Sequence, residues 1–368
     1  MRHVPAIVYT ANEGAYTPAD EAGSHADTQR LTWLFHLVFH SQEASTLDVE
    51  RVDMRFVRGD ESLWQESFSR AYLERTEWIA GAFADTTEYF MDNIEFVDNH
   101  MSAIETPVGP ALPPGQAVSW VRIPLAAPWF ADADRVDITL TLDSATGASG
   151  VFHHTVPFVR PDQQVELRLP FEGTWAVNAG NDLSTGHRRT GLNSLTMYGW
   201  DFTRLGPNGL PYRTTGETPE DYWGYDEPVY AAGDGVVVDV RNDIAEYGIG
   251  ETPPRRVIEA DDDVFAGNLV TIDHGNGEYS LTCHMRAGTI PVSVGDSVKA
   301  GDFIGKVGNS GVSQVPHIHF NVMDGAEWID AKGIPAQFSR FEKIRMGGRP
   351  QPFELGNPIT EWLVRPMD

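Results

Sequence analysis

A chain of 368 residues, 41% hydrophobic and 22% charged, has the composition of an ordinary globular protein of about two domains. Its formal net charge of -26 excludes a nucleic-acid binder, which needs a basic footprint, and docking on anionic lipid by charge attraction. The single cysteine, Cys283, excludes an intrachain disulfide, and no apolar run approaches the ~20 residues of a membrane-spanning helix.

Residues 1–27 are polar and predicted to be loosely ordered. They lack an apolar segment followed by a small-residue cleavage site, so either export is not signalled here or a leader has been removed. RLTWLFHLVFH at 30–40 predicts a first, strongly apolar strand. Val52, Met54 and Phe56 then alternate with charged residues, the period of a half-buried strand. SLWQESFSRAYLERTEW at 62–78 fits either an amphipathic helix or two short strands. After Pro113, Pro114 and Gly115, Val118, Trp120 and Arg122 share one face. Val136, Ile138, Leu140 and Leu142 alternate strictly with polar residues. Strands over 151–158 and 165–170 complete a series divided by Gly, Pro and Asp turns. The pattern predicts a β-sandwich-like accessory domain over 28–172. Its Trp64, Trp78, Trp120 and Trp129 read as core or edge packing rather than as a platform for sugars.

The texture changes at 173. Gly, Asn and Thr rise over 173–220, and very apolar strands follow at 229–240 and 268–275, separated by glycine turns. The stretch 241–267, with ETPPRR and ADDD in it, reads as a surface insertion. Residues 336–368 read as a C-terminal extension.

Four residues in this half carry chemistry. Pro316-His317-Ile318-His319-Phe320 sets two imidazoles on one face of a strand, where a half-buried strand would otherwise carry apolar groups. His284 follows the alternating run YSLT. Asp201 stands between Trp200 and Phe202, a carboxylate in apolar company that must find a partner. Cys283, in the same apolar run as His284, reads as a small buried side chain.

The segment from Tyr225 to Gly325 resembles the lysostaphin-type (M23) family of zinc metallopeptidases. The likeness rests on three ordered blocks with their turns: EPVYAAGDGVVV, GNLVTIDHGNGEYSLTCHM and VSVGDSVKAGDFIGKVGNSGVSQVPHIHF. It extends from near His187 to near Asp330 and implies a mostly β chain. The N-terminal sandwich-like domain would precede a small antiparallel β peptidase domain over 173–335, with Zn2+ in a narrow groove. By the resemblance, His319 and Asp201 are metal ligands, together with His187 in STGHRRTG, and His284 and His317 are catalytic histidines beside the metal. The implied activity is an endopeptidase acting on peptide bonds of bacterial peptidoglycan, in a secreted, periplasmic or envelope-associated protein. The implied partners are peptidoglycan peptides, with no nucleic acid and no integral membrane segment.

Three features depart from the compact family form. His187 and Asp201 are 14 residues apart instead of in an HxxxD motif. A stretch of 24 residues (203–226) separates Phe202 from Glu227 and is placed to form a groove wall. Met285 stands where leucine is usual. The residue types suit the chemistry. Zinc polarises a scissile carbonyl, and either His284 or His317 can orient water or serve as general base. Asn309 and Ser310 are expected to shape the turn before the HxH strand. Two other readings fit parts of this pattern. One is a binding or regulatory module that keeps the groove without turnover. The other is a biotinyl- or lipoyl-like carrier domain, disfavoured because Lys299 and Lys306 do not sit in the required turn.

Overall fold

The computed structural model describes residues 2–3, 6–7, 9–11, 30–40, 46–75, 77–81, 94–97, 100–103, 109–112, 117–126, 133–144, 149–159, 163–180, 198–331, 333–344 and 349–367. They are predominantly β-structure and fall into two compact units. One comprises Met1–Asn93 and Ala103–Pro161, the other Ile94–Ser102 and Asp162–Asp368. Among the described residues no helix is long and apolar enough to cross a membrane.

The first unit contains a five-stranded and a six-stranded sheet. In the second of these the predicted alternation takes physical form. Val52, Met54 and Phe56 on Leu47–Arg58 stand opposite Leu140, Ile138 and Val136 on Arg135–Ser144, and all six are buried. The intervening residues face the other way, where Arg55 donates to Asp137 at 2.8 Å. Of the two readings open for 62–78, the strands form: Glu61–Ser69 and Glu77–Gly81, joined through one helical turn, Arg70–Leu73. Trp64 is 42% exposed on the strand Glu61–Ser69 and donates to Glu66 at 3.1 Å. The side chains of Trp78, Trp120 and Trp129 lie outside the described residues.

The second unit is built on an eleven-stranded antiparallel sheet. Its order is Ser297–Val298, Gly235–Arg241, Asn268–Asp273, Tyr279–Met285, Ile318–Met323, Trp200–Arg204, Trp175–Ala179, Leu363–Pro366, Phe338–Ile344 and Gln351–Gly356, with Gly333–Ile334 also on Ile318–Met323. The strand Ile318–Met323 is buried along its whole length. Its even-numbered apolar residues enter one core with Trp200 and Phe202, and the aromatic rings meet edge to face. Trp200 stands 4.9 Å from Phe338, and Phe171 5.0 Å from Phe202.

Three expectations differ from this architecture. The break between units falls between 161 and 162, not between 172 and 173, because the intervening backbone is bonded into the second unit. Leu167 O accepts from Ser339 N–H at 2.7 Å and Pro170 O from Tyr230 N–H at 2.9 Å. No strand forms over 165–170. Val165 N–H goes to Glu278 and Arg168 N–H to Ala232 O, which leaves a lone bridge from Leu167 to Phe338. Residues 336–368 are not an appendage, since three of their strands complete the large sheet and the last of them pairs with Trp175–Ala179.

Candidate metal and catalytic site

Strand register brings the site together. Asp201 and His319 are direct partners across Trp200–Arg204 and Ile318–Met323, and Cys283 is the partner of His319 on the other side. Direct partners share a face, so the alternation that buries Trp200, Phe202 and Phe320 turns Asp201 and His319 the opposite way. His317 lies two residues before His319, on the same side. His319 Nδ1 stands 2.8 Å from Asp201 Oδ1, and His317 Nε2 stands 3.4 Å from the same oxygen. All three side chains are nearly enclosed, at 3%, 11% and 14% exposure for His319, His317 and Asp201.

His284 reaches the group by a backbone irregularity. Asn268 pairs with Met285 and Val270 with Thr282, so Leu269 faces two residues, Cys283 and His284. This is a β-bulge, which re-aims side chains. His284 takes φ 59° there, a left-handed conformation that costs a non-glycine residue about 1–3 kcal/mol and persists where surrounding contacts over-determine it. With that turn, ring nitrogens of His284, His317 and His319 all lie within 4.8 Å of one another.

The outer contacts fix which nitrogen each ring presents. His284 Nδ1–H donates to Ser310 O at 2.9 Å, and His317 Nδ1–H to Val315 O at 2.7 Å. Carbonyl oxygens only accept, so these bonds place the proton on Nδ1 and leave each Nε2 for the site. Burial, with His317 and His319 as neighbours, pushes the His284 imidazole well below the usual histidine range, so the ring is neutral. Burial also opposes charge on His317, but the Asp201 carboxylate outweighs it and raises that imidazole.

The turn before the HxH strand has the shaping role expected of it. Ser310 Oγ–H donates to Met285 O at 2.8 Å and accepts from Asn268 N–H at 2.9 Å. Asn309 Nδ2 donates to Tyr247 O at 2.8 Å, and its Oδ1 accepts from Ser313 Oγ at 2.9 Å. Two residues here were not singled out in the sequence. Ser313 Oγ lies 3.2 Å from His317 Nδ1. Asn268, fully buried, donates to Ile244 O and Met285 O and accepts from Ile244 N–H. The signal for Asn268 was available: an amide at the head of the apolar run LVTID, directly after a glycine. The supposed surface insertion proves to be packed, with Ile244, Ile258, Val264, Phe265 and Ala266 buried, and it bonds to the turn before the HxH strand through Tyr247 N–H to Asn309 O and Val312 N–H to Phe265 O.

Three imidazoles and a carboxylate, mostly enclosed and converging within a few ångströms, match the donor set that zinc prefers. The gathered histidines include His319, expected as a ligand, and both histidines expected to be catalytic, with Asp201 in contact with two of them. His187, the remaining expected ligand, lies outside the described residues.

The sequence profile of Peptidase family M23 matches residues 253–331, a stretch that contains His284, His317 and His319. The chain carries an M23 peptidase domain. It is 34% identical over 195 residues to the peptidoglycan DD-endopeptidase ShyA of Vibrio cholerae, covering 52% of this chain and 40% of that protein. It is also 34% identical over 107 residues to an uncharacterised metalloprotease of Buchnera aphidicola, covering 29% of this chain and 21% of that one. The chain thus spans less than half the length of either curated relative. Among solved structures, the catalytic domain of lysostaphin from Staphylococcus simulans is similar at 21% identity, over 44% of this chain and 88% of that chain, with a TM-score of 0.25. Asp201 lies upstream of the stretch that the M23 profile matches.

Proposed function

We propose that this chain is a zinc-dependent endopeptidase that cleaves peptide bonds in the cross-links or stem peptides of bacterial peptidoglycan. The observation that carries the reading is the convergence of three M23-domain histidines on one another, two of them in contact with Asp201. The named activity of the Vibrio cholerae relative supports the choice of substrate. His319, Asp201 and His187 hold the metal. The protein acts outside the cytoplasm, in the envelope or beyond it, and the N-terminal unit is a sandwich-like accessory domain that presents the peptidase to its polymer.

A bound zinc ion supplies Lewis-acid polarisation of the scissile carbonyl. The chain's own residues do the rest. His284 offers a lone pair at Nε2, because its Nδ1–H is committed to Ser310. His317 presents its Nε2 from a ring whose Nδ1–H is committed to Val315. Each nitrogen can take a proton from the attacking water or return one to the leaving amine, and a protonated ring can stabilise negative charge growing on the carbonyl oxygen. Enclosure strengthens these interactions by excluding bulk water.

The test is metal content by mass spectrometry on protein purified without chelator, alongside digestion of purified sacculi. Wild type should carry one zinc per chain and release peptides. His319→Ala should lose both the metal and the release, and His187→Ala should lose most of its zinc. A fully active His319→Ala sinks the assignment. Undiminished zinc in His187→Ala means that the first histidine ligand is elsewhere. Protein that binds sacculi and zinc yet releases nothing is a binding module.

A further inference from the structure

We infer that Glu246 is a positioning residue for the histidine pair: it locks, from outside, the turn whose carbonyls and hydroxyl orient both rings. The inference rests on the peptidase reading above but concerns a residue outside the stretch matched by the family profile.

The turn 309–315 does two tasks at once. Ser310 O holds His284 Nδ1, while Ser313 and Val315 O hold His317 Nδ1. A turn with this duty must itself be fixed, because a carbonyl that swings away from His284 Nδ1 frees the ring to exchange tautomers. Glu246 supplies the fixation. Its Oε1 accepts from Asn309 N–H at 2.9 Å, and its backbone bridges to Ser310. Its neighbour Tyr247 continues the contact, with Tyr247 N–H donating to Asn309 O at 3.1 Å. The fit is close: a Cβ at Gly308 would stand 2.4 Å from Glu246 Oε1 and 2.5 Å from Arg286 N, so a side chain there would displace the carboxylate.

The second oxygen reaches the end of the 203–226 stretch. Tyr225 Oη–H donates to Glu246 Oε2 at 2.6 Å. The Tyr225 ring lies under the Arg286 guanidinium, 5.3 Å from ring centre to Cζ, and Arg286 in turn pairs with Asp226. One carboxyl group therefore joins the end of the 203–226 stretch to the turn that aims the catalytic imidazoles. Such outer-shell partners hold ligands and bases in one tautomer, and their removal typically costs 10–100-fold.

The experiment uses the full-length, zinc-loaded chain and the variants Glu246→Ala, Glu246→Gln and Tyr225→Phe. Two readouts are combined: steady-state kinetics on wall peptides, and nitrogen chemical shifts of selectively 15N-labelled histidine. Wild type should show His284 in a single tautomer protonated at Nδ1. In Glu246→Ala, kcat should fall about 10–100-fold with KM nearly unchanged and zinc retained, and the His284 signal should move toward a tautomer mixture. Glu246→Gln keeps an oxygen acceptor and should recover part of the rate, and Tyr225→Phe should lose less than Glu246→Ala. If Glu246→Ala does not fold, the other two variants carry the test, with a smaller fall and the same tautomer shift. An unchanged tautomer in every folded variant overturns the inference. So does an unchanged kcat. A tautomer shift in a protein whose wild type releases no peptide leaves the positioning role standing and removes the peptidase reading instead.

Discussion

On the proposed zinc-peptidase reading, Asp201→Ala should lose the metal and lower kcat/KM by more than the 10–100-fold usual for outer-shell partners. Asp201 Oδ1 contacts both His319 Nδ1 and His317 Nε2, at 2.8 and 3.4 Å. Without it, the gathered imidazoles keep their enclosure and lose the negative charge that favours a cation among them. Asp201→Asn separates the causes, since it keeps the shape and one oxygen donor but not the charge. It should bind zinc weakly instead of not at all. The loss also has a signature in the metal-free protein. Burial lowers the His317 imidazole and Asp201 raises it above the ordinary value. Removing the carboxylate removes the raising influence, so His317 should titrate at lower pH in Asp201→Ala than in wild type. Histidine NMR on chelator-treated protein measures this. Full zinc occupancy and turnover in Asp201→Ala would show that the carboxylate has no part in the site.

The second large effect is on stability. Gly267→Ala should cost about 3–5 kcal/mol, read from chemical denaturation. Gly267 adopts φ 72° and ψ -155°, a region essentially reserved for glycine. A Cβ there would also stand 2.5 Å from Ser310 O and 2.6 Å from Ser310 Oγ, closer than real Cβ atoms come. The strain and the clash act on the same carbonyl that holds His284. Folded Gly267→Ala protein should therefore lose activity out of proportion to its lost stability. Gly275→Ala is the comparison. It too has positive φ, 82°, but nothing lies within 4 Å of its Cβ position, so only the conformational part of the cost, about 1 kcal/mol, is expected. Equal costs at the two positions would refute the clash argument.

The parts of the site that follow strict alternation were legible in the sequence. Histidines at 317 and 319 between Ile318 and Phe320, and a carboxylate between Trp200 and Phe202, each put a polar group on the face opposite a core, and the sheet pairs them. His284 was placed by its run and by family likeness, but its aim depends on a bulge. A bulge breaks the period and leaves no trace in a single sequence. The stretch 241–267 was misread because its charged residues are as numerous as its apolar ones and stand out in runs such as ADDD. Those apolar residues are scattered, and the groups that hold them, Asn268 and Asn309, come later in the chain. The closing strands after 336 have the same difficulty. Their link to the rest of the sheet is the pairing of Leu363–Pro366 with Trp175–Ala179, nearly two hundred residues earlier, and long-range pairing has no local signature.

Cys283 is buried, lies opposite His319 in the strand register, and is the only thiol in the sequence. Burial raises its pKa well above the usual thiol value, so the closed protein presents no reactive thiolate. Alkylation then requires a local opening that uncovers the face of the sheet shared by Asp201, Cys283 and His319. The chain thereby contains its own clock for that event: the rate at which a thiol reagent consumes Cys283 measures how often that face is uncovered. A bound metal that ties these strands together should slow that rate in proportion to the opening it suppresses.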